Sequence, residues 1–247
     1  GRAMLNESLR QFEKVAASLS MQNLQDAVNA YIGMAFYAGA IRLALQVAQQ
    51  RDRGNRALSW LKDGCPDKDP RKDAYESRAK CYDLIHTVID KLDEASQQAP
   101  STADGQYSVI LRRRDEAYDQ INSSDDEVFH TNLYDWYLSR GKTERLLEIE
   151  SPYIVPYLQR KAQERVEEAD LLCQYYARHH LFFEAAQVQL QLARSSFNLS
   201  LQDRIEYLSR ARTNASTRLT GMADIRLSRQ SRQELTREVS DLLDLAN

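Results

Sequence analysis

Apolar residues recur at three- and four-residue steps along this chain, and no stretch shows the alternating rhythm of a strand. Leu5, Leu9, Phe12, Ala16 and Leu19 give a first one-faced helix, and Ser20 caps a second that turns Leu24, Ala27, Val28, Tyr31, Ile32 and Ala35 inward. A third carries Ile41, Leu45 and Ala48 as far as a break at Arg51 to Gly54. Two prolines and a glycine over 64–70 predict a loop, because they remove donors and free the backbone, and Asp69 is placed to cap the helix that follows. That helix reads from Arg71 to about Gln98, and the Pro-, Ser- and Gly-containing run at 99–105 predicts a second loop. Further helices are expected around Tyr107 to Ile121, Val128 to Arg140, Val166 to His180, Phe182 to Ser196, Leu201 to about Arg218, and Ser231 to Leu245.

Two of these helices have apolar residues on two sides. At 100° per residue, Phe129, Leu133 and Trp136 fall on one face while Tyr134 and Leu138 fall nearly opposite. Between Val166 and His180, Val166, Ala169, Leu172, Cys173, Tyr176 and Ala177 make the main stripe, with Leu171 and Tyr175 as a second. A helix with two apolar edges needs a neighbour on each, so the expected fold class is all-α, an irregular α-helical solenoid of stacked antiparallel helices. No fixed repeat period is visible, and residues 5–247 read as a single segment. Gly1 to Met4 read as a cloning remnant ahead of an internal piece of a longer protein.

Composition agrees with a helical chain, with only 8 Gly and 5 Pro in 247 residues. A formal net charge of -3 gives no field that would gather nucleic acid or an anionic membrane. Arg112 to Arg114 are followed at once by Asp115 and Glu116, and the series Arg226, Arg229, Arg232 and Arg237 is diluted by Glu234 and Glu238; both read as solvated helix faces. The acidic run Asp125 to Glu127 reads as a helix N-terminus rather than a metal site. Three scattered cysteines suit a reducing compartment, and the apolar run Tyr31 to Ile41 is far too short to span a bilayer.

Candidate chemistry is sparse. The glycines are isolated, so no phosphate cradle forms, and His86, His130, His179 and His180 lack metal-ligand spacing. Cys173 and His180 return to nearly one helix face, but two turns separate them by about 10 Å along the axis, beyond hydrogen-bond reach. No catalytic residue, cofactor site or metal site is expected.

The strings FHTNLYDWYLSRG, LLEIESPYIVPYLQR, ADLLCQYYARHHLFFEAAQVQLQLA and SLQDRIEYLSRAR, in that order, resemble the helical solenoid of the large inner-ring scaffold nucleoporins, a family with an N-terminal β-propeller ahead of the solenoid. YIGMAFYAGAIRLALQVAQQRDRGNRALSWLKDG is similar to the preceding segment of the same family. The resemblance implies a non-enzymatic structural role in the nuclear pore complex at the nuclear envelope, supporting nucleocytoplasmic transport. It also implies partners among other nucleoporins, chiefly short linear motifs of disordered linker nucleoporins. Membrane contact belongs mainly to the propeller in that family and is not expected of this segment. A linear motif places a few apolar anchors in a groove between helices, so the peptide-binding candidates are the second apolar edges: Tyr134, Leu138, Leu171 and Tyr175. Each of these also has a packing role open to it, against the next helix layer. The alternative is an α-solenoid adaptor of a vesicle coat or other assembly, which shares the architecture.

Overall fold

The computed structural model describes residues 1–98, 105–217 and 229–246. The expected loop at 99–105 lies outside them apart from Gly105, and so does Arg226. Among the described residues the regular structure is thirteen α-helices and one 3₁₀ turn, with no strand. The chain divides into two compact units, Gly1–Ser139 and Arg140–Asn247.

The first unit contains α1 (Arg2–Lys14), a 3₁₀ turn (Ala16–Ser18), α2 (Met21–Gly33), α3 (Tyr37–Arg51), α4 (Arg56–Lys62), α5 (Arg71–Gln98), α6 (Gly105–Asn122) and α7 (Glu127–Ser139). Helix α1 opens at Arg2, inside the stretch expected to be a remnant, and Arg2 reaches Glu116 on α6 at 2.5 Å. The Ser20 hydroxyl accepts from the Asn23 amide at 3.1 Å and caps α2. Asp69 accepts from the Arg71 amide at 2.8 Å, and hydrogen bonds from the Arg71 side chain and backbone hold its carboxyl down at about 2.

Helix α3 is the centre of this unit. Ala40, Ile41, Leu43, Ala44, Leu45, Val47 and Ala48 are all buried, so the helix is apolar round most of its circumference, and α1, α2, α5 and α6 pack against it. Its start requires a residue without a side chain: a Cβ on Gly39 would lie 2.1 Å from the Phe36 ring, which itself packs edge-on against Tyr31 at 5.2 Å.

A buried charge network ties four of the helices. The Arg78 guanidinium on α5 donates to Asp126 at 2.6 Å, to Asp52 at 3.2 Å, to the Asn55 side-chain oxygen Oδ1 at 3.0 Å and to the Tyr82 hydroxyl at 2.9 Å. Tyr82 in turn donates to the other Asp126 oxygen at 2.6 Å. Each carboxylate also caps a helix. Asp52, just past the end of α3, accepts from the amides of Arg56 and Ala57 at the start of α4, and Asp126 accepts from the Phe129 amide at the start of α7. Burial, and then the Asp126 carboxylate, push the Tyr82 phenol up, so it stays a donor. A second tie between α5 and α7 is the flat stack of His86 on Trp136, with ring centroids 4.4 Å apart.

The second unit contains α8 (Thr143–Leu147), α9 (Ile154–Ala162), α10 (Val166–Arg178), α11 (Phe182–Arg194), α12 (Leu201–Ser216) and α13 (Arg229–Ala246). From α9 onward each helix packs on the next, as expected of an irregular stack. Pro156 sits in the first turn of α9, where its missing N–H breaks no helix bond. Ser200 and Asp203 cap each other's backbone at the start of α12. Ala186, Leu190, Leu208, Ala211, Leu235 and Val239 form the core between α11, α12 and α13.

Replacing Arg78 by Met should cost about 3–5 kcal/mol in chemical denaturation, because it leaves two buried carboxylates facing each other without a cation. Gly39→Ala should cost about 1–3 kcal/mol in the same assay, since the Phe36 ring must leave its seat on Tyr31.

Candidate functional site

The second unit carries a groove of about 480 Å³ where α9 and α11 flank α10. Its apolar surface comes from Ala169 and Leu172 on α10, Val188 and Leu192 on α11, and Phe197 beyond the end of α11. The amides of Gln159 and Gln163 lie along the α9 side, and those of Gln187 and Gln191 along the α11 side. Of the thirteen residues that line it, only Glu184 is charged, in a chain where 28% of residues are.

The end wall of the groove is held from α12. Arg204 donates to the carbonyl oxygens of Ala193 at 2.8 Å, Ser195 at 2.9 Å and Phe197 at 2.9 Å. Ala193 lies in the last turn of α11, where carbonyls have no partner within the helix, so one guanidinium both caps that helix and fixes the non-helical turn that carries Phe197. Across the groove, Gln159 donates to the Tyr176 hydroxyl at 3.1 Å.

The four residues chosen from the sequence fall elsewhere. Tyr134 is buried on α7, and its hydroxyl meets Nδ1 of His130 at 3.1 Å. Leu171 and Tyr175 are buried on α10. That edge is covered by α8 and the residues after it: Tyr175 donates to the Ile149 carbonyl at 2.8 Å and stacks on His179, whose Nε2–H donates to the Leu147 carbonyl at 2.8 Å. Leu138 is half-buried and keeps some surface. Both helices are thus buried on two sides, as the pattern requires. The glutamines give no signal in the sequence, because polar residues four apart on an amphipathic helix look like any solvated face. Phe197 was missed because it stands outside every helical stripe.

Burial pushes the Cys173 thiol up to about 12, and the side chain sits in an apolar cluster with Ala169 and Leu192. Among the described residues no group of three or more His, Cys, Asp or Glu side chains could hold a metal ion, and no helix is long and apolar enough to cross a membrane.

A family model for the C-terminal region of the non-repetitive/WGA-negative nucleoporins matches residues 1–247. The chain belongs to this nucleoporin family. It is 51% identical over 246 residues to nucleoporin NUP170 of Chaetomium thermophilum, covering 100% of this chain and 17% of that protein. It is 41% identical over 211 residues to a probable nucleoporin of Schizosaccharomyces pombe (85% of this chain, 15% of that protein) and 34% identical over 204 residues to NUP170 of Saccharomyces cerevisiae (81% and 14%). The chain thus spans about a sixth of the length of these nucleoporins. Among solved structures, the C-terminal domain of C. thermophilum Nup170 in complex with Nup145N matches with a TM-score of 0.90 at 50% identity, covering 99% of this chain and 46% of that one. The Nup170 C-terminal domain alone matches with a TM-score of 0.84 at 50% identity, over 99% of this chain and 42% of that one. The all-α fold expected from the sequence is therefore that of the Nup170 C-terminal domain.

The buried His130 gives this nucleoporin segment a dependence on pH. Its Nε2–H donates to the Ser124 carbonyl at 2.8 Å, which leaves Nδ1 to accept from Tyr134. Burial lowers its pKa against the opposing pull of the Ser124 bond and the Asp126 charge. The folded form thus prefers neutral imidazole, and stability present above the unfolded value of about 6.5 is lost as pH falls through the lower folded value. Denaturation midpoints should drop more steeply between pH 7 and pH 5 for the unaltered chain than for His130→Gln, which keeps a donor and an acceptor but cannot charge.

Proposed function

We propose that this chain is a scaffold segment of the nuclear pore complex inner ring at the nuclear envelope, supporting nucleocytoplasmic transport, and that its groove between α9 and α11 seats a linear motif of a disordered linker nucleoporin. Residues 5–247 work as a single segment in this reading, and the role is non-enzymatic. The observation that carries it is the groove itself: an open, nearly uncharged channel of about 480 Å³ with an apolar floor, on a fold whose 50%-identical relative was crystallised with Nup145N. Such a channel offers anchor sites for a few side chains and no convergent acid, base or nucleophile. Membership in the nucleoporin family favours this reading over a vesicle-coat adaptor.

The four edge residues take different parts in it. Tyr134, Leu171 and Tyr175 support the helices from within, and Leu138, with surface remaining, serves as a secondary contact. The ordering of a flexible linker opposes binding, so affinity rests on a few apolar anchors and the contact stays exchangeable.

Calorimetric titration of the chain with the Nup145N segment tests this. Binding should be saturable at one site. It should weaken at least tenfold in Val188→Asp, which puts a charge on the apolar floor, and in Ala162→Trp, which fills the channel, with thermal unfolding confirming that each variant is folded. No heat with the unaltered chain, or full affinity in both folded variants, would remove the groove from consideration.

A further inference from the structure

We infer that the groove reads the main chain of an extended, uncharged stretch of the linker through two rails of glutamine amides, so that recognition is by backbone pairing and apolar anchors and not by charge. This rests on the reading of the groove as a linear-motif site and specifies what kind of segment it takes.

Gln159 lies in the second half of α9 and Gln163, four residues on, is the residue that follows its last turn in a still helical conformation, while Gln187 and Gln191 stand one turn apart on α11. At a rise of about 1.5 Å per residue, amides four apart stand about 6 Å apart along each helix. In an extended peptide, groups pointing to the same side recur every two residues, about 6.7 Å. Each rail therefore repeats at nearly the interval of a strand-like ligand. A side-chain amide carries both a carbonyl acceptor and an NH₂ donor, so one glutamine can serve the N–H and the C=O of a passing peptide unit.

Gln163, Gln187 and Gln191 are exposed and make no side-chain hydrogen bond among the described residues, whereas Gln159 gives one of its two N–H donors to Tyr176 and keeps its acceptor. Between the rails the floor is Ala169, Leu172, Val188 and Leu192, suited to receive every second side chain of an extended segment. From Glu184 to Ser195 the channel follows α11 for about 16 Å, the length of about five extended residues.

Charge complementarity selects the occupant. Glu184 makes no ion pair among the described residues and is the one charge on the lining, while the Arg204 guanidinium is committed to three carbonyls behind the wall. A motif with charged residues over the floor would bury them without partners, whereas one with small or apolar residues there and a basic residue at the Glu184 end would leave none unpaired.

The test is calorimetry of the chain with the Nup145N segment at 50 and 500 mM NaCl, with three altered reagents. The unaltered pair should change affinity less than twofold over that salt range, because no multivalent charge contact is made. The double variant Gln187→Ala with Gln191→Ala should lose about tenfold, as expected for two neutral hydrogen bonds. A peptide N-methylated at alternate backbone amides in its anchor stretch should lose at least as much, and Gln187→Glu with Gln191→Glu should make binding salt-dependent. If Val188→Asp abolishes binding but the double alanine variant and the N-methylated peptide bind as before, the groove is the site and the backbone rails are wrong. Strong salt dependence of the unaltered pair also overturns the rails alone. If the unaltered chain binds no Nup145N segment, the rails and the proposed function fall together.

Discussion

One guanidinium holds the first unit in register. Arg78 lies almost wholly out of water, with 4% of its side chain exposed, and meets two carboxylates that are buried more completely still. Taking three charges out of solvent costs several kcal/mol each, and their attraction repays this only where every remaining lone pair and proton is used. Here they are used. Asp52 receives the first amides of α4, Asp126 receives an amide of α7 and the Tyr82 hydroxyl, and Asn55, in a left-handed conformation with φ 51°, turns its side-chain oxygen to the same guanidinium. The positive ends of two helix dipoles face the carboxylates and offset the excess negative charge. This arrangement fixes the ends of α3, α4 and α7 against one point on α5.

The second unit is organised by succession instead of by a central helix. Because each helix from α9 to α13 packs on its sequence neighbours, α10 has α9 on one side and α11 on the other. The space between those two flanking helices is the groove. Its floor is apolar because the buried Ala169, Leu172 and Leu192 between α10 and α11 come to the surface there beside the half-buried Val188, and its rims are amides because those positions face solvent. Arg204 closes one end by supplying donors to carbonyls that α11 cannot satisfy within itself. The same interaction that ends the helix thus shapes the site.

Several features were legible along the chain for plain physical reasons. The start of the long helix α5 at Arg71 was readable, since Pro70 precedes an uninterrupted periodic stretch. The two-sided character of α7 and α10 followed from angular spacing alone. The short helices α4 and α8, of seven and five residues, were not readable, because helices of that length have little stability of their own and exist through the capping carboxylate of Asp52 or the packing of Leu146 and Leu147. Asp126 was recognised as part of a helix start, but its partner Arg78 lies 48 residues away, and nothing in local sequence distinguishes a buried arginine from a solvated one.

By itself the sequence determined an all-α chain of amphipathic helices, two of them needing neighbours on both sides, with no constellation for catalysis or metal binding, and it carried the strings that mark a nucleoporin scaffold. These are matters of periodicity, composition and local order, which act between residues a few positions apart. The tertiary structure decided that Tyr134, Leu171 and Tyr175 are spent on internal packing, that the open channel lies on the other side of α10, and that glutamines, Phe197 and Arg204 frame it. Those choices depend on which apolar edge of α10 is covered by α8, and that is set by long-range packing energy to which the helical period is blind.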